Sequence, residues 1–283
     1  MPVEPPVVSP ASLTDAFAIL REQPHRPVAG GTDLLVQLTG EIGPAPDRVI
    51  DLWRLDELRG VGVHGDAIEL GALTTYTDIR RSPICREHLP ALVEAAATIG
   101  ATQIQNRGTI GGNVMNASPA GDTLPVLLAL DAVLVVGGAD GEREVAAAEF
   151  WPAYRRTAAR PDELLLRVRV PLGAGREQRF RKVGTRRAQA ISKVVVAAAW
   201  RGTDTWQDVR LALGSVAATP VRVREAEAAL EGRPRTLGSV EAAVDALGAA
   251  INPIDDVRST AAYRREAARR VVRRLLAESL EHA

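Results

Sequence analysis

The most informative part of the chain is residues 106–122, which read NRGTIGGNVMNASPAGD. Glycine, asparagine and small hydroxylated residues crowd here between two apolar segments, so we predict a long polar loop. A loop of this kind is uncommon inside a compact domain unless it has a function. Thr109 and Asn113 could hydrogen-bond a phosphate or a ribose, and Gly111 and Gly112 would leave backbone amides open to a ligand. The stretch therefore predicts a ligand site.

Asp122, at the end of this stretch, has two interpretations. Its carboxylate could accept hydrogen bonds from sugar hydroxyls, in which case it belongs to the ligand site together with Asn116 and Ser118. Alternatively, it caps a helix that begins at Thr123 and has Pro125 in its first turn. The residues alone leave both interpretations open.

A second glycine pair lies in residues 27–34, which read PVAGGTDL. A predicted strand leads into Gly30 and Gly31, and a helix starts at Leu34. Backbone amides and the positive end of the helix dipole would then face a phosphate. The segment matches neither GxGxxG nor GxxxxGK[ST], so the signatures of Rossmann and P-loop proteins are missing. A tight strand-to-helix turn without a ligand is the alternative interpretation.

Around this second pair, residues 1–55 are predicted to form a first α/β unit. A helix is predicted over 12–21, a strand over 26–29, a helix over 34–38 and a strand over 48–52. This order favours a small parallel sheet.

Two more units follow, and they make the predicted fold class α+β. In residues 56–173 we predict strands over 67–73, 132–136 and 164–170, and helices over 89–99 and 124–130. In residues 174–283 we predict strands over 179–183, 193–200 and 209–216, and helices over 222–230, 240–250 and 260–280. The close spacing of the last three strands favours an antiparallel meander. The chain is thus expected to hold two α/β units and a small C-terminal domain of three antiparallel strands and three helices.

Charge and composition argue against several classes of protein. Thirty-five basic residues balance 35 acidic ones, so no overall field favours nucleic acid or an anionic membrane. The arginine pairs of the last helix are therefore interpreted as a solvated face. Residues 1–10 lack the basic region of a signal peptide, and no apolar run approaches the ~18–20 residues of a membrane span. We expect a soluble, cytoplasmic protein.

Candidate metal and nucleophile sites are also missing from the sequence. Cys85 is the single cysteine, which excludes an internal disulfide and an iron–sulfur cluster held by four thiolates of this chain. It has no evident activating partner. The histidines show no metal-ligand spacing; they are His25, His64, His88 and His282.

Four ordered motifs resemble those of one known family. They are AGGTDL at 29–34, GALTT at 71–75, GTIGGN at 108–113 and ASPAGD at 117–122. Later segments extend the match over almost the whole chain: WPAYRRT at 151–157, PDELL at 161–165, FRKV at 180–183 and YRR at 263–265. On these residues the chain resembles the FAD-binding, or medium, subunit of molybdenum hydroxylases of the xanthine dehydrogenase and carbon monoxide dehydrogenase type.

The resemblance implies a fold and a set of cofactor-binding positions. Members of the family hold FAD between two α/β subdomains of the vanillyl-alcohol-oxidase-like type and carry a smaller C-terminal domain. The residues that would wrap the pyrophosphate are Pro27, Val28, Ala29, Gly30, Gly31, Thr32, Asp33 and Leu34. Those that would contact the pyrophosphate and ribityl region from the other side are Thr109, Gly111, Gly112 and Asn113. Asp122 would hold the sugar hydroxyls.

Three more positions gain a role only through the resemblance. Ile99 and Leu165 would flank the isoalloxazine ring, and Lys182 would reach the cofactor. Without the resemblance, Ile99 and Leu165 are ordinary core positions. Lys182 lies in an alternating strand, where a solvated face is the alternative.

The resemblance finally implies a role in electron transfer. Electrons would pass from [2Fe–2S] centres on a small iron–sulfur subunit through the FAD of this chain to NAD+ or another acceptor. A large subunit with a molybdopterin cofactor would oxidise the substrate, in an assembly expected to be a dimer of heterotrimers. No side chain of this chain is expected to be catalytic. The alternatives are a stand-alone FAD-dependent oxidoreductase with its own substrate pocket, and a non-catalytic assembly subunit.

Overall fold

The N-terminal part of the chain forms a small parallel sheet. The computed structural model describes residues 5–40, 44–173, 175–186 and 188–281, so His282 lies outside the described residues. The first elements are β1 (Val7–Val8), α1 (Leu13–Glu22), β2 (Arg26–Val28), α2 (Leu34–Thr39) and β3 (Val49–Asp51). The strands pair in parallel in the order β1-β3-β2. The predicted parallel sheet is confirmed, and the short strand β1 in the proline-rich start was missed.

Helix α1 begins where its cap predicts. The Ser12 hydroxyl accepts a hydrogen bond from the Asp15 amide, and Ala16 and Leu20 are buried. Helix α2 is apolar as predicted, yet none of its residues is buried. Leu35 and Val36 expose 59% and 58% of their surface. The sequence pattern predicted the helix correctly, but the apolar residues of α2 are not packed into a hydrophobic core.

The middle part of the chain forms an antiparallel sheet with helices packed on it. Its strands are β4 (Val61–His64), β5 (Ala67–Gly71), β6 (Val133–Gly138), β7 (Gly141–Ala146) and β8 (Leu164–Pro171), in the order β4-β5-β8-β6-β7. Its helices are α3 (Tyr76–Arg81), α4 (Pro83–His88), α5 (Pro90–Thr98), α6 (Thr102–Arg107), α7 (Ile110–Asn116), α8 (Leu124–Ala129) and α9 (Ala147–Phe150). Sequence patterns predicted β5, β6, β8, α5 and α8, and missed the others.

The prediction of a long polar loop over residues 106–122 is wrong. The centre of this stretch, Ile110–Asn116, is helix α7, because Thr109 caps its N-terminus: the Thr109 hydroxyl accepts a hydrogen bond from the Gly112 amide. Ile110 and Val114, four residues apart, are both fully buried and give the helix its apolar face. Ala117 then ends the helix in the left-handed conformation. The two glycines lie in the first turn of the helix.

The C-terminal part of the chain is a meander followed by helices. Its elements are β9 (Glu177–Val183), β10 (Val194–Arg201), β11 (Gln207–Gly214), β12 (Val221–Arg222), α10 (Arg224–Leu230), α11 (Leu237–Ala246) and α12 (Ala261–Glu278). The strands are antiparallel in the order β12-β11-β10-β9. The three predicted strands and three predicted helices are confirmed, and β12 adds a short edge strand.

Strand β10 joins two cores because it is buried on both faces. Val195, Ala197 and Ala199 pack in the core of the middle part. The alternate residues, including Val196 and Trp200, pack against the C-terminal helices. A continuous apolar run, VVVAAAW, is typical of a strand covered on both sides. The chain is thus a mixed α+β protein in which the C-terminal sheet is packed onto the middle part.

Candidate cofactor-binding cleft

One cleft brings the two glycine motifs together. The predicted residues that line it are Pro27, Val28, Ala29, Gly30, Gly31, Thr32, Asp33, Leu34, Thr109, Gly111, Gly112, Asn113 and Leu165. Including its solvent-open mouth, the cleft holds about 970 Å³ of space that no protein atom occupies. Its two walls are the turn between β2 and α2 and the first turns of α7.

Gly30 allows the two walls to meet. A Cβ atom at Gly30 would lie 1.7 Å from the carbonyl oxygen of Arg107, so any other residue would push the walls apart. Gly31 has φ +75°, a conformation that L side chains rarely adopt. The first glycine pair is therefore required by the shape of the protein backbone itself.

The two glycines of the second pair, Gly111 and Gly112, differ in what surrounds the position of a Cβ. A Cβ at Gly111 would lie 2.6 Å from the Ala72 carbonyl oxygen, which accepts the Gly111 amide at 2.9 Å. At Gly112 a Cβ would meet only the Thr109 hydroxyl, at 3.0 Å. Gly112 is exposed on the cleft wall. The missing side chain of Gly112 thus leaves space in the cleft that a ligand can fill.

Polar side chains tie the two walls at the mouth of the cleft. Asn116 donates a hydrogen bond to the Asp33 carboxylate at 2.9 Å, and Arg155 donates one to Asn116 at 3.3 Å. Asp33 keeps contact with solvent, yet partial burial in the cleft raises the pKa of its carboxyl, while Arg155 and Arg26 oppose that rise. The first loop and α7 are therefore joined through side chains as well as through the backbone.

The other three predicted residues form a separate cluster beside the cleft. Ile99 ends helix α5, and its carbonyl accepts a hydrogen bond from Gln105. Lys182 donates to the Asp122 carboxylate at 2.6 Å and to the carbonyl of Thr98, next to Ile99, at 3.1 Å. Both charged side chains are more than nine-tenths buried. Lys182 therefore does not lie on a solvated face.

This cluster adjoins the cleft through α7. The Thr123 hydroxyl, next to Asp122 in the chain, donates to the Asn113 side chain of the cleft wall at 2.5 Å. The helix that follows, α8, has no side-chain cap, so the interpretation of Asp122 as a helix cap is wrong. Burial raises the pKa of the Asp122 carboxyl, and the Lys182 ammonium opposes the rise.

One atom of Asp122 makes no hydrogen bond among the described residues. Its Oδ2 accepts from Lys182, but its Oδ1 is buried without a partner. The nearby Ser192 hydroxyl donates instead to the Ala120 carbonyl at 3.0 Å. Buried acceptors of this kind are rare because they lose their hydration without compensation. A ligand hydroxyl would satisfy Oδ1, so the site fits a cofactor that carries sugar-like hydroxyls.

The cleft also contains residues that the sequence did not reveal. Tyr76 lines it, at the first position of α3, because the capping box of Thr75 and Asp78 starts the helix there. Glu163 lines it at the start of β8 and receives two hydrogen bonds from Arg143. The capping box was visible in the sequence. Nothing local indicated that Tyr76 would face the cleft.

Neither a metal site nor a membrane-spanning helix is found among the described residues. In the part of the chain that the structure describes, no three His, Cys, Asp or Glu residues are grouped as metal ligands. Nor does any helix there have the length and apolar character that crossing a membrane requires. Cys85 is buried in the middle core, where burial raises the pKa of its thiol.

Comparisons with known proteins agree with this geometry. Residues 2–173 match the family described as FAD binding domain in molybdopterin dehydrogenase, and residues 179–279 match CO dehydrogenase flavoprotein C-terminal domain. The glyceraldehyde dehydrogenase medium chain of Sulfolobus acidocaldarius is 34% identical over 94% of this chain and 94% of its own length. The nicotinate dehydrogenase FAD-subunit of Eubacterium barkeri is 32% identical over 96% and 95%. A solved carbon monoxide dehydrogenase from Hydrogenophaga pseudoflava superposes with a TM-score of 0.93 at 33% identity, covering 98% of this chain and 97% of that one.

The fold and the cleft define a flavoprotein that belongs to a larger oxidoreductase. Its α+β architecture is that of solved carbon monoxide dehydrogenase flavoproteins. The chain belongs to the family of FAD-binding, medium subunits of molybdenum hydroxylases, of the carbon monoxide dehydrogenase and xanthine dehydrogenase type.

Proposed function

We propose that this chain is the electron-transfer subunit of a molybdenum hydroxylase. It would receive electrons from [2Fe–2S] centres of a small partner subunit and deliver them through FAD to NAD+ or another acceptor. FAD supplies the redox chemistry, which amino-acid side chains lack, and the protein holds and shields it. The observation that carries the proposal is the meeting of two glycine motifs across a single cleft.

In this proposal, different residues of the cleft contact different parts of FAD. Residues 27–34 hold the pyrophosphate with backbone amides at the start of α2, and the first turn of α7 closes the opposite side, where Gly112 leaves space for the ligand. Asn113 contacts the ribityl chain, and Leu165 packs against the isoalloxazine ring. Asp122 accepts a sugar hydroxyl at its free Oδ1, and Lys182 and Ile99 complete the inner end of the site.

The division of the chain follows from the same proposal. Residues 1–55 and 56–173 act as the two subdomains of the vanillyl-alcohol-oxidase-like cradle, and residues 174–283 form the C-terminal domain. The parallel β1-β3-β2 sheet and the antiparallel β4-to-β8 sheet on either side of the cleft support this division. A cytoplasmic location stays a prediction from the sequence.

The purified full-length chain provides a direct test of FAD binding. It should be yellow, and acid precipitation should release FAD, not FMN, at one molecule per chain, because FMN lacks the pyrophosphate that residues 27–34 are proposed to hold. A colourless chain that cannot be reconstituted with FAD would instead support a non-catalytic assembly subunit.

Partners are proposed from the chemistry that this chain lacks. Its single cysteine cannot hold an iron–sulfur cluster, so we place the [2Fe–2S] centres that donate electrons on another polypeptide. We propose a small iron–sulfur subunit and a large subunit with a molybdopterin cofactor, assembled as a dimer of heterotrimers. A stable interface usually buries at least ~1,000 Å².

Isolation from the native host under mild salt tests the partners. The two other subunits should co-purify, and the complex should reduce its acceptor with electrons from the substrate. The chain alone should show at most slow transfer from NADH to a dye. A free monomer that oxidises an organic substrate unaided would replace this proposal with a stand-alone oxidoreductase.

A further inference from the structure

Tyr76 is a buried polar residue of the cleft to which neither the family motifs nor the glycine geometry assigns a role. Its side chain is only 3% exposed, yet it lines the cleft. Two contacts fix its position. Its amide donates to the Gly108 carbonyl at 3.2 Å, and its ring packs so closely on Gly108 that a Cβ there would lie 2.8 Å from Cε2. The ring therefore has little freedom to turn away.

The Tyr76 hydroxyl makes no hydrogen bond to any of the described residues, and it is not among their fully occluded atoms without a partner. It thus has access to the cleft but no acceptor of its own. Burying a hydroxyl without a partner is unfavourable, and native proteins usually provide one. An acceptor atom of the ligand would complete this part of the site.

The charges around Tyr76 determine whether its hydroxyl stays protonated and can donate a hydrogen bond. Burial and the nearby carboxylates of Asp33 and Asp122 all raise the pKa of the phenol, so it remains a proton donor. Asp33 belongs to the first loop and Asp122 to the inner cluster, and the charges of both affect the pKa of Tyr76. Tyr76 is therefore within electrostatic range of both the end proposed for the pyrophosphate and the end proposed for the sugar hydroxyls.

We propose that the Tyr76 hydroxyl donates a hydrogen bond to an oxygen of the ribityl–pyrophosphate chain of FAD and positions the middle of the cofactor. This inference rests on the proposed function, because it needs FAD in the cleft. The backbone amides of the first loop hold the phosphates, and Tyr76 adds a neutral side-chain donor near two carboxylates. A neutral donor suits this place, since it adds no charge that must be compensated.

The test is Tyr76→Phe in the full-length chain, which keeps the ring against Gly108 and removes only the hydroxyl. FAD should dissociate with a constant about 5- to 50-fold larger, the range expected for one lost hydrogen bond to a polar or charged acceptor. The melting temperature of the apo-protein should stay the same or rise, because the hydroxyl has no protein partner to lose. Tyr263→Phe, at a half-exposed ring in α12, is the matched control and should change neither quantity.

Flavin fluorescence titration of the apo-proteins separates the outcomes. If the wild-type chain binds FAD and Tyr76→Phe binds it equally well, the assignment of Tyr76 is overturned while the proposed function stands. If weaker binding comes with a lower melting temperature of the apo-protein, Tyr76 acts through packing, and the assignment is again overturned. Failure of the wild-type chain itself to bind FAD would overturn the proposed function and this inference with it.

Discussion

The four glycines of the two cleft motifs are present for different physical reasons. Gly30 and Gly111 are required because a Cβ would strike the carbonyl oxygens of Arg107 and Ala72. Gly31 is required because its φ is positive. Gly112 has no such internal reason, since only the Thr109 hydroxyl lies near the place of its Cβ. Only Gly112 therefore points directly to a ligand.

Alanine substitutions should separate these roles. Gly112→Ala should leave the apo-protein as stable as before or slightly more stable, because alanine favours a helix by about 0.5–1 kcal/mol over glycine. It should lower FAD affinity at least about tenfold, roughly 1.4 kcal/mol, since the methyl group enters the cleft.

Gly30→Ala should instead destabilise the apo-protein. Denaturant unfolding and FAD titration measure the two effects, with Gly248→Ala, in open space, as control. Unchanged FAD affinity of Gly112→Ala would contradict a ligand at this wall.

Glu163 makes the stability of the cleft wall depend on pH. Hydrogen bonds from Arg143 lower the pKa of its carboxyl below the ordinary value of about 4.3. The ionised form is thus favoured in the folded state, so the stabilisation is present above that value and is lost as the pH falls through the lowered pKa. Glu163→Gln should cost about 1–3 kcal/mol of unfolding free energy at pH 7. Urea unfolding from pH 7 down to pH 3 should show the gap to the wild type closing; a gap that is constant with pH would contradict this assignment.

Among the helices, α12 carries one buried arginine in an otherwise solvated row. Four of its arginines pair with acidic residues: Arg269 with Asp245, Arg270 with Glu266, Arg273 with Glu241 and Arg274 with Glu278. The predicted solvated face is therefore correct for Arg270 and Arg274, whereas Arg269 and Arg273 are partly buried against α11. Arg264 is only 5% exposed and donates to the Ser215 carbonyl at 2.8 Å and to Asp256 at 2.6 Å.

This arginine links the last helix to the loop before Asp122. Ser215, held in a left-handed conformation, donates its amide to the Pro119 carbonyl at 2.8 Å. Arg264→Lys should cost about 1–3 kcal/mol of unfolding free energy, because an ammonium cannot reproduce two guanidinium bonds in a fixed plane. Arg265→Lys, at the exposed neighbouring position, is the control. Equal denaturant midpoints for the two variants would show that the Arg264 contacts contribute nothing.

For the molecule as a whole, the cleft and the cluster beside it join parts of the chain that belong to different sheets. The first loop follows β2, α7 packs on the middle core, and Lys182 comes from β9 of the C-terminal sheet. Strand β10 already packs in two cores. A ligand that touches all of these parts should stabilise them together rather than one at a time.

FAD should therefore raise the temperature of a single unfolding transition. At a free concentration 100 times its dissociation constant, a ligand of the folded state adds about 2.7 kcal/mol, or roughly 5 °C for a chain of this size. FMN, which lacks the pyrophosphate link and the adenosine half, should give a smaller shift at equal concentration. Calorimetry measures these shifts in unfolding temperature. Equal shifts with FMN and FAD would contradict a site shared by all three parts, and so would a second unfolding transition whose temperature FAD does not change.

Local patterns were enough to predict much of this protein. The Gly30-Gly31 pair, the cap at Ser12 and the apolar run of β10 indicated their elements because turn, cap and strand preferences depend on neighbouring residues. Ordered motifs along the chain identified the family. Residues 106–122 were misjudged because the polar composition resembles a loop, while the burial of Ile110 and Val114 that makes α7 a helix depends on the packed core.

The contacts that complete the candidate site join residues far apart in the chain, and local sequence holds no signal for them. Gly30 meets the backbone of Arg107, and Lys182 meets Asp122 across 60 positions. The orientation of Tyr76 toward the cleft follows from its packing on Gly108. Such contacts form only when separate sheets pack together, because the interactions that favour them arise from burial and close approach in space. The sequence therefore determined which residues were candidates, and packing determined what each of them touches.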